Sequence, residues 1–138
     1  MILYRGETKM KPTSNWSTAD IIATVRRYWG YSELRPLQEQ AIRAGLEQRD
    51  SLVVMPTGGG KSLCYQVPAE LAHRTDIVVS PLISLMKDQV DGLRECGYPA
   101  AALYTGMSPQ AIPATEEQFV AGRYRLLFVA PERLLAPR

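Results

Sequence analysis

The chain has 138 residues, 46% of them hydrophobic and 22% charged, with a net charge of +2. That is enough chain for one domain with a real core, and its composition is that of an ordinary soluble globular protein. So small a net charge does not by itself announce a nucleic-acid partner. Cys64 and Cys96 lie far apart and His73 is the only histidine, so no Cys/His metal cluster and no disulfide framework is expected. No apolar run approaches a membrane span, and the N-terminus lacks the apolar core of a signal peptide. The expected location is the cytoplasm, without a membrane partner.

Residues 1–15 mix basic, acidic and proline residues without a period, and read as a loosely ordered leader. Ser17 then caps a first helix, with Asp20 in its first turn. Ile21, Ile22, Val25, Tyr28 and Trp29 recur at helical spacing, and Gly30 stops it. The two aromatics read as core. Pro36 suits the first turn of a second helix, whose apolar face is Leu37, Ala41, Ile42 and Leu46.

Tyr31, Arg35 and Gln38 fall outside that core pattern. By pattern alone they are surface residues. Their chemistry also suits the base end of a nucleotide site. A Gln amide can pair with an adenine edge, and a Tyr ring and a guanidinium can stack on the base.

Ser51-Leu52-Val53-Val54 reads as a strand, and Leu63 to Leu71 as a helix. Between them stands Met55-Pro56-Thr57-Gly58-Gly59-Gly60-Lys61-Ser62. Strand, glycine loop and helix make the context of a phosphate-binding loop. Glycines let main-chain N–H groups turn toward phosphate oxygens with no Cβ in the way. Lys61 would set its ammonium against the β- and γ-phosphates, and the Ser62 hydroxyl would be a Mg²⁺ ligand. The general pattern asks for a glycine where Met55 stands; Thr57-Gly58-x-Gly60-Lys61-Ser62 is the form common in helicases.

Pro68 is awkward inside the following helix, and His73 reads as a solvated loop residue. Asp76 to Ser80 is a second buried-type strand. A helix runs from Ser80-Pro81-Leu82 to a close at Cys96-Gly97. Ala100 to Tyr104 is a third, weaker strand, and Ser108-Pro109 opens another helix, interrupted by Pro113. Arg125 to Val129 is a fourth strand, and Ala130 to Leu135 begins a last helical turn. This alternation argues for an α/β fold, a parallel sheet with helices on both faces. Ligands in such sheets bind at the carboxyl ends of the strands.

The glycine loop, Ser80-Pro81-Leu82-Ile83-Ser84-Leu85-Met86-Lys87-Asp88-Gln89-Val90 and Ala130-Pro131-Glu132-Arg133-Leu134 together resemble the RecQ family of superfamily 2 ATP-dependent DNA helicases. Trp29-Gly30-Tyr31, Leu34-Arg35-Pro36 and Gln38 are similar to that family's adenine-recognition motif. The resemblance covers residues 16 to 135. It implies a RecA-like P-loop NTPase fold and 3′-to-5′ unwinding of DNA driven by ATP hydrolysis with Mg²⁺, in repair and recombination. It further implies that Tyr31 and Arg35 hold the adenine, that Gln38 reads its edge, and that Met55 to Ser62 hold the triphosphate. Lys61 and Ser62 take the catalytic roles. Ser80, Leu82, Ser84, Lys87, Pro131 and Arg133 match motifs that line a DNA track. By residue type alone, Ser80, Pro81 and Glu132 could instead cap helices.

The family's next motif, an Asp-Glu-x-His box, does not occur in the sequence, nor does a second motor domain. The expectation is therefore that residues 16–138 are part of a first motor domain, inactive or nearly so alone, whose partners are DNA, ATP and the remaining domains of a helicase. A stand-alone nucleotide-binding or regulatory module is the alternative. A P-loop kinase or GTPase is weaker still, because no Asn-Lys-x-Asp occurs.

Overall fold

The computed structural model describes residues 16–56, 58 and 60–135. The expected leader, residues 1–15, lies outside them, as do Thr57 and Gly59. The chain divides into two compact units, Met1–His73 and Arg74–Arg138.

The first unit is helical. Helix α1 spans Thr18–Trp29. Its start is a complete capping box: Asp20 N–H donates to Ser17 Oγ at 3.1 Å, and Ser17 N–H donates to Asp20 Oδ2 at 2.8 Å. Its end is Gly30 at φ 74°, whose N–H closes on the Arg26 carbonyl. Helix α2 spans Gln38–Leu46 and α3 spans Leu63–Leu71. Ile21 and Val25 of α1, Ile42 and Leu46 of α2, and Leu63 and Val67 of α3 bury together, with Trp16, Trp29 and Leu34 packed around them. Two polar ties fix these helices further. Tyr28 Oη donates to Glu70 Oε1 at 3.0 Å, joining α1 to α3. Arg43 donates to Glu39 Oε1 and to the Trp16 carbonyl, and Thr18 Oγ1 donates to the same Glu39 oxygen at 2.6 Å.

The expectations for the start of α2 and for residues 51–54 need correction. Helix α2 starts at Gln38, so Pro36 is not in its first turn. Pro36 instead sits second in a turn closed by Gln38 N–H on the Arg35 carbonyl at 3.2 Å. Leu37 follows it at φ 70°, ψ −16°. Proline second and a positive φ third is type II turn geometry. Leu37 is thus an exposed turn residue, not part of the apolar face of α2. Residues 51–54 form no strand. Their alternation is real: Val53 and Met55 pack on Ala41 and Cys64, while Leu52 and Val54 are 68% and 78% exposed. A strand is defined by a hydrogen-bonded neighbour, and the segment has no ladder partner among the described residues. Pro68, finally, is buried inside α3 without ending it.

The second unit is a parallel three-stranded sheet, β1 Asp76–Val79, β2 Ala100–Leu103 and β3 Leu126–Val129, in the order β1-β3-β2. Asp76 to Val79 and Ala100 to Leu103 both run in register with Leu126 to Val129. The central strand β3 is buried along its whole length, as an apolar Leu-Leu-Phe-Val run requires. Helix α4, Ile83–Glu95, packs on β2 with Met86, Val90 and Leu93 buried. Helix α5, Ala111–Val120, covers the other face, where Ile112 and Phe119 meet Ala101, Leu103, Leu127 and Val129. Pro113 is the third residue of α5, a place where a missing N–H costs nothing. Helix α6, Pro131–Leu135, follows β3 directly. The edge strand β1 departs from expectation: Ile77 and Val79 are half-exposed, so it is not a buried-type strand.

Candidate functional site

The glycine loop is bound to the turn ahead of α2. Arg35 Nη1 donates to the Gly58 carbonyl, and Gln38 Nε2 donates to the Gly60 carbonyl at 3.1 Å. The other end of the Gln38 amide accepts from the Arg35 N–H at 2.6 Å. Residues 22 and 23 positions apart in sequence are thereby brought to one place. Gln38 is only 2% exposed, so it is a strut between turn and loop, not the surface residue its pattern suggested. Tyr31 is 55% exposed.

The loop has the backbone such a site needs. Gly58 and Gly60 sit at φ 81° and 79°, the left-handed region glycine enters without strain. At Gly60 a Cβ would also lie 2.3 Å from Gln38 Nε2, so the conformation demands glycine and any side chain would force the Gln38 amide to shift. Helix α3 begins behind the loop with Ser62 at its N-cap in helical conformation, and the Ser62 hydroxyl caps nothing. Lys61 is exposed and makes no ion pair among the described residues. Met55 is buried against Ala41 and Cys64, so its side chain is floor and not rim; Pro56 is exposed. Burial pushes the Cys64 thiol up to about 11, which keeps it protonated and inert.

In the second unit the carboxyl ends of the three strands meet. Ser80 N–H donates to the Val129 carbonyl at 3.1 Å, and Ala130 N–H to the Leu103 carbonyl at 3.0 Å. Ser80, Leu82, Pro131 and Arg133 follow β1 and β3 there. Leu82, Ser84 and Lys87 are all exposed on the first turns of α4 or just before it. Ser80 does not cap α4: its N-cap is Leu82, with no side-chain bond. Ser80 Oγ accepts from the Leu82 N–H at 3.4 Å, a local turn contact. Lys87 Nζ stands 5.1 Å from the centre of the Tyr104 ring, just past β2. Arg133 donates to Glu116 Oε1 at 2.8 Å. Sequence reasoning missed Glu116, because nothing local marks a glutamate on α5 as the neighbour of a residue 17 positions later.

The described groups have chemistry that suits a polyphosphate: two left-handed glycines, the positive end of α3, an ammonium in no ion pair among the described residues, and a hydroxyl. Among the described residues no group of three His, Cys, Asp or Glu could hold a metal. A Mg²⁺ ion here would take one hydroxyl from the protein and the rest of its shell from phosphate and water, as this ion prefers.

The family description "DEAD/DEAH box helicase" matches residues 35–137, from the turn ahead of α2 past α6, and the chain belongs to that family. Within it the chain is similar to helicases of the RecQ type. It is 49% identical over 108 residues to the ATP-dependent DNA helicase RecQ of Bacillus subtilis, covering 78% of this chain and 18% of that protein. The RecQ of Synechocystis is 45% identical over 112 residues, covering 81% and 23%. The ATP-dependent helicase SGS1 of Saccharomyces cerevisiae is 38% identical over 129 residues, covering 91% and 9%. The chain therefore spans about a fifth of the length of the RecQ relatives it matches. The α/β, RecA-like class read from the sequence holds. No helix of the described residues is long and apolar enough to cross a membrane.

Proposed function

We propose that this chain is the ATP- and DNA-binding segment of a RecQ-type 3′-to-5′ DNA helicase. The observation that carries the reading is the pair of hydrogen bonds from Arg35 and Gln38 to the Gly58 and Gly60 carbonyls. They set the residues suited to a base directly against the loop suited to its phosphates.

The roles follow from chemistry. Residues 55–62 wrap the triphosphate, Lys61 neutralises its β- and γ-oxygens, and Ser62 offers its hydroxyl to Mg²⁺. The metal, when bound, draws charge from the phosphates and so eases attack at the γ-phosphorus. Tyr31 has exposed ring area to stack on adenine, and Arg35 is bonded to the loop at Gly58. Gln38 uses one lone pair and one hydrogen on protein. Its amide has one more of each, the acceptor and donor that an adenine edge requires. Ser80, Leu82, Ser84, Lys87, Pro131 and Arg133 form a second surface, at the carboxyl edge of the sheet, for single-stranded or unwinding duplex DNA. Arg133 and Lys87 supply its charge and the rest its shape.

Residues 16–138 are proposed as one ATP-binding motor segment, working with further motor and accessory domains in the cytoplasm or nucleoid. The test is nucleotide competition on the chain with Mg²⁺ present. ATP should displace a fluorescent ATP analogue at lower concentration than GTP, and inorganic triphosphate should bind weakly because it lacks the base. GTP binding as well as ATP would refute the adenine half of the reading; no nucleotide binding at all would refute both halves.

A further inference from the structure

Arg133 does not extend into open solvent. Its Nη2 donates to Glu116 Oε1 at 2.8 Å, and the two side chains keep 28% and 50% of their surface exposed. Glu116 stands on α5 and Arg133 on α6, both in the second unit. A carboxylate there has the charge and the acceptor geometry of a phosphate, and it occupies the N–H group that a phosphate would take.

We propose that Glu116 is a built-in competitor for Arg133: it holds the guanidinium while the DNA surface is empty, and a DNA phosphate must displace it. This rests on the reading above, in which Arg133 touches DNA. The pair is suited to such an exchange. It is a single hydrogen bond between partly exposed groups, and pairs of this kind shift an equilibrium by no more than about five-fold. A phosphate replaces it one for one and adds release of counterions from the DNA. Partial exposure of both partners leaves room for the incoming oxygen. The consequence is a moderated grip. Arg133 contributes to DNA affinity only what exceeds its bond to Glu116, so the segment releases single strands more readily than a bare arginine would allow.

The experiment is anisotropy titration of labelled single-stranded oligothymidylate with the full chain and its Glu116→Gln, Glu116→Ala, Arg133→Ala and Glu116→Gln/Arg133→Ala variants. Both Glu116 variants should bind about three-fold tighter, the gain expected for freeing a surface-paired arginine. Arg133→Ala should bind more weakly and lower the log–log salt slope by about 1. In the Arg133→Ala background, Glu116→Gln should have no further effect. If Arg133→Ala weakens binding but Glu116→Gln does not tighten it, or weakens it, the competition is refuted while the DNA role of Arg133 stands. Equal tightening with and without Arg133 would mean bulk charge and also refute it. If Arg133→Ala changes nothing, or the chain binds no DNA, the underlying reading falls and the competition with it.

Discussion

Gln38 and Gly60 hold each other in place. The amide nitrogen donates to the Gly60 carbonyl at 3.1 Å, and a Cβ on Gly60 would lie 2.3 Å from that nitrogen and push it out of its bond. Gly60→Ala therefore meets two penalties, a positive φ of 79° and a collision with a buried amide. The backbone part alone costs about 1–3 kcal/mol. Urea unfolding should show at least that loss, and ATP binding should fall sharply. Gln38→Ala removes the collision but not the strain, so Gly60→Ala should cost less in that background. Simple additivity of the two would show that they do not communicate.

Lys61→Ala separates binding from folding. The side chain is exposed and unpaired among the described residues, so its removal should leave the unfolding midpoint unchanged. Loss of a charge-assisted phosphate contact should cost about 2–4 kcal/mol of ATP affinity. Calorimetric titration measures this directly. Wild-type affinity in the variant would remove Lys61 from the site.

What the sequence made legible was local. Ser17, Asp20 and Gly30 mark both ends of α1 because capping is settled within a few residues, and all three perform the expected roles. The glycine loop stood out because its glycines, Lys61 and Ser62 are adjacent in sequence, and Gly58 and Gly60 do take the positive φ that glycine allows. Residues 51–54 misled because alternation reports which side packs, and says nothing about whether a neighbouring strand is present to bond. Leu37 misled because an apolar residue beside Pro36 was counted by period, when the turn forces it to a positive φ and outward. The bond between Gln38 and the loop, and that between Arg133 and Glu116, depend on where the chain returns in space. No short pattern records either.

The Thr18 hydroxyl, and then Arg43, bond the Glu39 carboxylate and hold it below the ordinary carboxylate value of 4.5. The folded state thus prefers the ionised form more strongly than the unfolded chain does. A depressed folded value means the stabilisation is complete above 4.5 and is lost as pH falls through the lowered value. The acid limb of the stability curve should therefore be shallower in Glu39→Gln, which has no proton to gain. Equal acid sensitivity in the two proteins would show that Glu39 does not couple folding to pH. Since Glu39 joins the start of α1 to α2, that variant should also loosen exchange protection in the first turn of α1, where the Ile21 N–H bonds the Ser17 carbonyl.

The two cysteines should differ as reagents see them. Cys64 is buried on α3 behind the glycine loop, and burial raises its thiol from 9.0 to about 11. Cys96 is half-buried at the end of α4. At neutral pH the thiolate is the reactive form, and Cys64 has neither the thiolate nor the access. In native protein a thiol reagent should label Cys96 and spare Cys64, and both should react in urea. ATP should slow any residual labelling of Cys64, because opening of the loop and α3 is the route to it. The pH sign is opposite to that of Glu39. A raised thiol value favours folding fully below 9.0, and this contribution fades as pH climbs toward about 11. Cys64→Ala should lessen that alkaline loss, though it also opens a small void among Ala41, Val53 and Met55. Mass mapping of the labelled peptides decides the order, and Cys64 reacting first in native protein would mean that the packing between α2 and the loop is looser than its buried side chains require.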